Sequence, residues 1–292
     1  MEESGKTFII AVANHKGGVG KTTTVLSLGG ALTKLGKYVL LVDLDVQANL
    51  TISLGFDPHK VNKTISDVFF YSTSLVSVSR ESNLPGLDIV PVDKGMDLVD
   101  RFLALRQDYE NILSNSLMDS SRGHDGSSKL SMEDCHHSLA LGYYDYLIFD
   151  CPPSVGAVTL NALVASNLLV IPTQPEYYSV YSINRMLANV DEVRKKHNPK
   201  LNYRLLITMI DRRNRIHCQL CDEIQDHFSQ TTFRTQIGVD TQLRESALAG
   251  LPITHYRKHR RSALQYEALA EEIIEQSQQS VPVNLKWKKI SV

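Results

Sequence analysis

Residues Lys16–Thr23 read KGGVGKTT, and they lie between an apolar run, Phe8–Ala13, and a helical pattern that opens at Thr22. Few segments of this length restrict a fold so tightly. A strand must end where the glycines begin and a helix must start where they finish, because the octet binds phosphate only as a turn between the two. Gly17, Gly18 and Gly20 remove the Cβ atoms that would stop successive backbone N–H groups from curving round a phosphate chain, and Val19 and Thr23 complete the cradle. The helix that follows aims its positive end at the same anions. Lys21 supplies a full charge to the β and γ phosphates, and the Thr22 hydroxyl is placed to ligate the Mg2+ that accompanies ATP.

Lys16 goes beyond an ordinary phosphate loop. It stands at the mouth, where such loops accept almost any side chain. An ammonium group on that rim is badly placed to fold back on phosphates held by its own loop and well placed to reach those of a facing subunit. It would make nucleotide binding and dimerisation interdependent. The alternative is a solvated lysine beside a loop.

Carboxylates follow the same logic. Val39–Asp43 reads as a short apolar strand that continues as VDLDVQAN to Asn49, so Asp43 and Asp45 emerge at its end. A second apolar strand, Tyr146–Phe149, closes in Asp150 and the sequence CPPS. The end of a buried strand is where the water shell of magnesium is commonly anchored. An isolated Asp there would be expected to cap a helix or turn; three beside a phosphate loop point instead to a metal and a reacting water.

Apolar runs at Phe8–Ala13, Tyr38–Val42, Leu87–Val90, Tyr146–Phe149, Leu168–Ile171 and Leu205–Ile210 alternate with helical patterns, as successive βαβ units do. Strands apolar throughout are those covered on both faces. The expectation is an α/β chain with a single-domain P-loop NTPase fold, residues 1–292, in which helices cover both faces of a mostly parallel twisted sheet. The helix Thr22–Leu35 is stopped by Gly36. No charged segment leads into a short apolar one at the start, and no apolar run is long enough to span a bilayer, so a soluble, cytoplasmic protein without stable membrane insertion is expected. Four cysteines suit a reducing compartment.

Four blocks, NHKGGVGKTTT at Asn14–Thr24, LLVDLDVQAN at Leu40–Asn49, LIFDCPPSVGAVTLNAL at Leu147–Leu163 and VIPTQPEYYSVYSI at Val170–Ile183, resemble the ParA/Soj family of the ParA/MinD superfamily, with its deviant Walker A motif. LLITMIDRRN at Leu205–Asn214 and RESALAGLPI at Arg244–Ile253 extend the likeness more weakly. The resemblance implies a Mg2+-dependent ATPase in which Lys16 is the signature lysine, Lys21 the phosphate-loop lysine and Thr22 a magnesium ligand. Asp45 would orient the attacking water, Asp43 would lie close to the metal and Asp150 would hold it. Asn214 and the Pro172–Pro175 loop are the candidates for the adenine pocket. The implied function is an ATP-dependent homodimerising switch with slow hydrolysis. It would bind nucleoid DNA without sequence preference, Arg213 and Arg244 falling near the favoured positions. A ParB-like or other adaptor would stimulate it, and it would segregate or position a chromosome or plasmid partition complex. The alternatives are a MinD-like membrane-cycling ATPase for division-site placement and ParA-like positioning of a non-DNA cargo.

Three stretches stand outside these motifs. Ser114–Ser138 is rich in Ser, Gly and His and reads as an inserted surface loop; its His124, Cys135, His136 and His137 have no defensible metal spacing. Cys218 and Cys221 form a CxxC on a helix expected over Arg215–Phe228, with partly buried cysteines as the default reading and a metal or redox role as the alternative. The tail 282–292 holds the chain's one Trp but too few large apolar residues for a membrane anchor. Net charge is -1, yet basic clusters recur at Arg194–Lys200, Arg212–Arg215 and Arg257–Arg261, and such clusters bind DNA phosphates without reading sequence.

Overall fold

The computed structural model describes residues 7–118 and 141–278. In chain order the elements are β1 (Phe8–Val12), α1 (Lys21–Lys34), β2 (Val39–Asp43), α2 (Asn49–Ser53), α3 (Ile65–Tyr71), β3 (Arg80–Glu81), β4 (Leu87–Val90), α4 (Met96–Leu103) and α5 (Ile112–Met118). They continue as β5 (Tyr146–Asp150), α6 (Ala157–Ala165), β6 (Leu168–Thr173), α7 (Ser179–Lys196), β7 (Asn202–Ile207), α8 (Arg215–Phe228), α9 (Gln242–Leu248), α10 (Ile253–Tyr256) and α11 (Arg261–Gln278).

The strands form one sheet in the order β3-β4-β2-β5-β1-β6-β7, parallel except for the β3–β4 pair at one edge. Side chains alternate across it. Ala11, Leu40, Val42, Leu147 and Phe149 enter one buried cluster with α3 to α8, while Ile10, Val12, Val39, Leu41 and Ile148 enter another with α1 and α11. Both faces are therefore dry, which is why the strands read as unbroken apolar runs. α1 lies close on the sheet and on α10. A Cβ added at Gly30 would come within 2.3 Å of Pro252, so that crossing admits only glycine.

β1 is an interior strand, with its neighbours β5 and β6 leading to opposite edges. The strand order reverses there, and in open α/β sheets the crevice at such a point, beyond the carboxyl ends of the strands, takes the ligand.

Some expectations shift. The last strand covers Asn202–Ile207 rather than Leu205–Ile210, because its ladder with β6 runs from Leu168↔Asn202 to Thr173↔Ile207 and stops with β6. Ile210 bridges to Gly238 instead. β3 gave no sequence signal, being a two-residue charged edge. The insertion expected from Ser114 does not begin there. α5 continues through Met118 with Leu113, Ser116 and Leu117 buried, so helix packing claims its first residues. The rest of that stretch falls in 119–138 and lies outside the described residues, as does the tail 282–292. Among the described residues no helix is long and apolar enough to cross a membrane.

Candidate active site

The loop between β1 and α1 turns through Gly18 at φ 73° and Gly20 at φ 88°, left-handed backbone that side chains with a Cβ rarely adopt. A Cβ added at Gly17 or Gly18 would meet nothing within 4 Å. Both glycines face open space, the volume a phosphate chain would fill. That space belongs to a cavity of about 410 Å³ bounded by the loop, Lys21, Thr22, Asp45, Asn49 and Pro153.

Lys21 is buried, and its Nζ donates to the Lys16 carbonyl at 3.2 Å. Burial lowers its pKa, while the charges of Asp150 and Asp45 act to raise it. Thr208, just past β7, donates its hydroxyl to the Val19 carbonyl at 2.9 Å and fixes the tip of the loop from the other side.

Asp43 and Asp150 end neighbouring strands in register and are both fully buried. Their environments differ. Asp43 Oδ1 accepts from the Asp45 N–H at 3.1 Å, and its Oδ2 accepts from the Thr51 N–H at 2.9 Å and the Thr51 hydroxyl at 2.7 Å. Neither Asp150 oxygen has a hydrogen-bond partner among the described residues. The Thr22 hydroxyl and Lys21 favour its charged form without closing a hydrogen bond; burial first, then the Asp43 charge, pushes its pKa well above the usual range. Burial likewise raises Asp43, to about 7, against the pull of its Thr51 bonds. Two buried carboxyl groups side by side, one of them unpartnered beside a threonine hydroxyl and a phosphate cradle, form a hard oxygen site suited to Mg2+. Asp43 lies next to that site, but its hydrogen bonds tie down the loop that carries Asp45. Asp45 is nearly buried in the cavity wall, its Oδ1 accepting from the Gln47 N–H at 3.0 Å.

Lys16 does not turn into its own cradle. Its Nζ forms an ion pair with Glu176, on the connection between β6 and α7, and its N–H donates to Asn14 Oδ1 at 3.1 Å. That connection is sewn to the loop elsewhere too: Asn14 Nδ2 donates to the Pro172 carbonyl at 2.7 Å and Gln174 Nε2 to the Gly18 carbonyl at 3.2 Å. Glu176 and Gln174 went unmarked in the sequence although they stand inside the VIPTQPEYYSVYSI block; only the fold brings that block against the phosphate loop.

A second cavity, also about 410 Å³, adjoins the helix end of the loop at Gly20 and Thr23 and is walled by Met209, Thr208 and the segment 237–241. The expected adenine residues do not line it or its neighbour. Pro172 and Pro175 are buried, and Asn214 caps α8, its Oδ1 accepting from the N–H groups of Ile216 at 3.0 Å and His217 at 3.4 Å. Met209 stands out once backbone is known, with φ 54° immediately beyond β7; nothing in the sequence of 237–241 marks it. Of the expected DNA-binding residues, Arg244 is exposed at the rim of the second cavity, and Arg213 is forked onto Asp211 by bonds of 2.9 and 2.8 Å. That fork holds the exposed Asp211 carboxyl down at about 2.

The CxxC carries no metal geometry. Cys221 is buried, its thiol pushed up to about 11 by burial, and Cys218 turns its sulfur to the Arg212 carbonyl at 3.5 Å. No cluster of three or more metal-binding side chains occurs among the described residues.

A glycine cradle between an interior strand and its helix, a buried lysine within it and acidic strand ends opposite define a P-loop ATPase. The AAA domain family model matches residues 7–126 and 129–203. The sporulation initiation inhibitor protein Soj of Bacillus subtilis is 33% identical, with 91% of this chain and 97% of Soj covered. The chromosome partitioning protein ParA of Caulobacter vibrioides is 31% identical, with 91% and 93% covered. Among solved structures, cobyrinic acid a,c-diamide synthase of Mycobacterium smegmatis with a bound ATP analogue and magnesium superposes with a TM-score of 0.78 at 27% identity, covering 95% of this chain and 98% of that one. The chain belongs to the ParA/Soj family of P-loop ATPases.

Proposed function

We propose that this chain is an ATP-driven dimerising switch that binds DNA without sequence preference and moves or spaces a partition complex, released by an adaptor protein that stimulates hydrolysis. The observation that carries the switch is the placement of Lys16: it lies on the rim, held by Glu176, and outside its own phosphate cradle.

ATP binds with its phosphates along Gly17–Thr23, Lys21 neutralising the β and γ groups. The Thr22 hydroxyl and Asp150 would hold Mg2+, which would supply charge stabilisation for the transferring phosphate. Asp45 orients the water that attacks the γ phosphate. The second cavity takes the base, against Met209 and the segment 237–241. Lys16 exchanges Glu176 for phosphate oxygens of a facing subunit, so the dimer forms only when the γ phosphate is present. A few kcal/mol of differential binding is enough for such a switch. The name of the Caulobacter relative, chromosome partitioning protein ParA, supports chromosome partition as the process served.

The test is sedimentation of wild type and Asp45→Ala with ATP and with ADP, followed by a mobility shift on random-sequence duplex DNA. The expected result is a dimer with ATP alone, persistent in Asp45→Ala, that shifts DNA. A monomer under all conditions would overturn the switch; an intact dimer that leaves DNA unshifted would overturn the DNA reading.

A further inference from the structure

We propose that His15 is a positioning residue for the dimer switch. Neutral and bound to α7 through Asn189, it holds the mouth of the phosphate loop so that Lys16 can cross to a facing subunit. Protonated, it weakens the ATP dimer. This role presupposes the dimerising reading above.

Three successive residues fasten the loop mouth to one side of the molecule. The Ser182 hydroxyl donates to Asn14 Oδ1 at 2.8 Å, Asn189 Nδ2 donates to His15 Nε2 at 2.9 Å, and Lys16 pairs with Glu176 just before α7. Ser182, Arg185 and Asn189 follow one another at intervals of three and four residues on α7, so a single helix face receives the loop. With Asn14 and His15 held, the backbone of Lys16 stays in place and only its side chain has to swing away from Glu176. Geometry fixed in advance lowers the ordering cost of association.

The bond from Asn189 requires an unprotonated Nε2, with the imidazole proton on Nδ1. Burial, then the charge of Arg185, lowers the His15 pKa, so the ring is neutral at neutral pH. Protonation sets a donor against the Asn189 amide. Turning that amide round would restore a hydrogen bond without removing the charge, which stands near the exposed Arg185 and next to Lys16 in the chain. The acid that offsets Lys16 is Glu176, and Lys16 leaves it on crossing. Farther along α7, Glu192 is paired with Lys196 and shares with Asn189 and His197 the wall of a cavity of about 320 Å³. In a two-fold dimer each loop mouth meets the other, so an added charge on His15 counts twice.

The experiment is sedimentation with ATP at about pH 7.5 and about pH 5.5, either side of the ordinary histidine range, comparing wild type with His15→Gln, His15→Ala and Asn189→Asp. On acidification wild type should lose roughly tenfold more dimer affinity than His15→Gln, whose amide accepts from Asn189 and has no proton to gain. Reading the difference between profiles removes the titration of ATP, Asp43 and Asp150, which all four proteins share. His15→Ala should dimerise more weakly at both pH values. Asn189→Asp should resist acid, because its carboxylate accepts from the imidazolium and cancels the charge. A wild-type profile parallel to that of His15→Gln, full-strength dimerisation of His15→Ala, or an Asn189→Asp decline as steep as wild type would overturn the role of His15 with the ATP dimer standing. A wild type that stays monomeric with ATP at about pH 7.5 would overturn the dimerising reading itself.

Discussion

Asp150 sits in register beside Asp43, and the two carboxylates are opposites: three hydrogen bonds fill Asp43, while Asp150 closes none and has only the Thr22 hydroxyl and Lys21 favouring its charge. A fully buried carboxylate without a partner costs the fold free energy unless something else satisfies it. The pair differs accordingly: Asp43 anchors the loop that bears Asp45, and Asp150 is the carboxyl we propose for the cation.

Asp150→Asn should therefore lose magnesium-dependent turnover by roughly a hundredfold, about 3 kcal/mol of charge stabilisation. The metal-free protein should melt no lower than wild type, since the variant removes an uncompensated buried acid. Differential scanning calorimetry with and without Mg2+ and ATP checks this; a normal magnesium-dependent rise in melting temperature would remove Asp150 from the metal site.

Thr51→Val should destabilise the protein by about 1–3 kcal/mol, the usual cost of leaving buried polar groups unsatisfied. The hydroxyl serves Asp43 at 2.7 Å and the Val92 N–H at 3.1 Å, and the isosteric methyl serves neither. Urea unfolding measures the loss, and ATP turnover should fall with it as the Asp45 loop loosens.

Lys16→Ala should bind nucleotide yet stay monomeric with ATP, whereas Glu176→Gln should dimerise at a few-fold lower ATP concentration. The Lys16 and Glu176 side chains are 33% and 48% exposed, so breaking their pair releases at most about 1 kcal/mol. Sedimentation across an ATP titration distinguishes them. A Glu176→Gln midpoint equal to wild type would show that the pair offers no resistance to dimerisation.

His255 carries a pH dependence whose sign follows from its lowered pKa. A histidine held below its ordinary 6.5 in the folded state contributes stability that is complete above that value and is lost as pH falls through the folded pKa, because the unfolded chain takes up the proton first. Asp43 and Asp150, both raised in the folded state, act the other way on acidification, so the His255 contribution is read as a difference between profiles: as pH falls below about 6.5, wild type should lose melting temperature relative to His255→Gln. An identical profile in the variant would refute the assignment.

Much of the site was legible because phosphate chemistry is local. The octet Lys16–Thr23 sets a strand end, a left-handed turn and a helix start within eight neighbouring residues, and the acids Asp43, Asp45 and Asp150 are marked by the apolar strands they terminate. The family likeness then assigned roles to residues whose spacing alone left alternatives open. The cavity proposed for the base was not legible. Its walls come from Met209 and from 237–241, which a helix and several turns separate along the chain and which carry no side-chain motif.

The sequence by itself determined the alternation of strand and helix, the phosphate cradle and which carboxylates end buried strands, since each depends on residues close together in the chain. Only the tertiary structure decided how charges are spent. It gave Asp43 its donors from Thr51, left Asp150 without a hydrogen bond and turned Lys16 toward Glu176 rather than its own loop. An ion or hydrogen-bond partner is set by distance in space, and for Lys16 and Glu176 that partner lies 160 residues along the chain, beyond the reach of any local pattern.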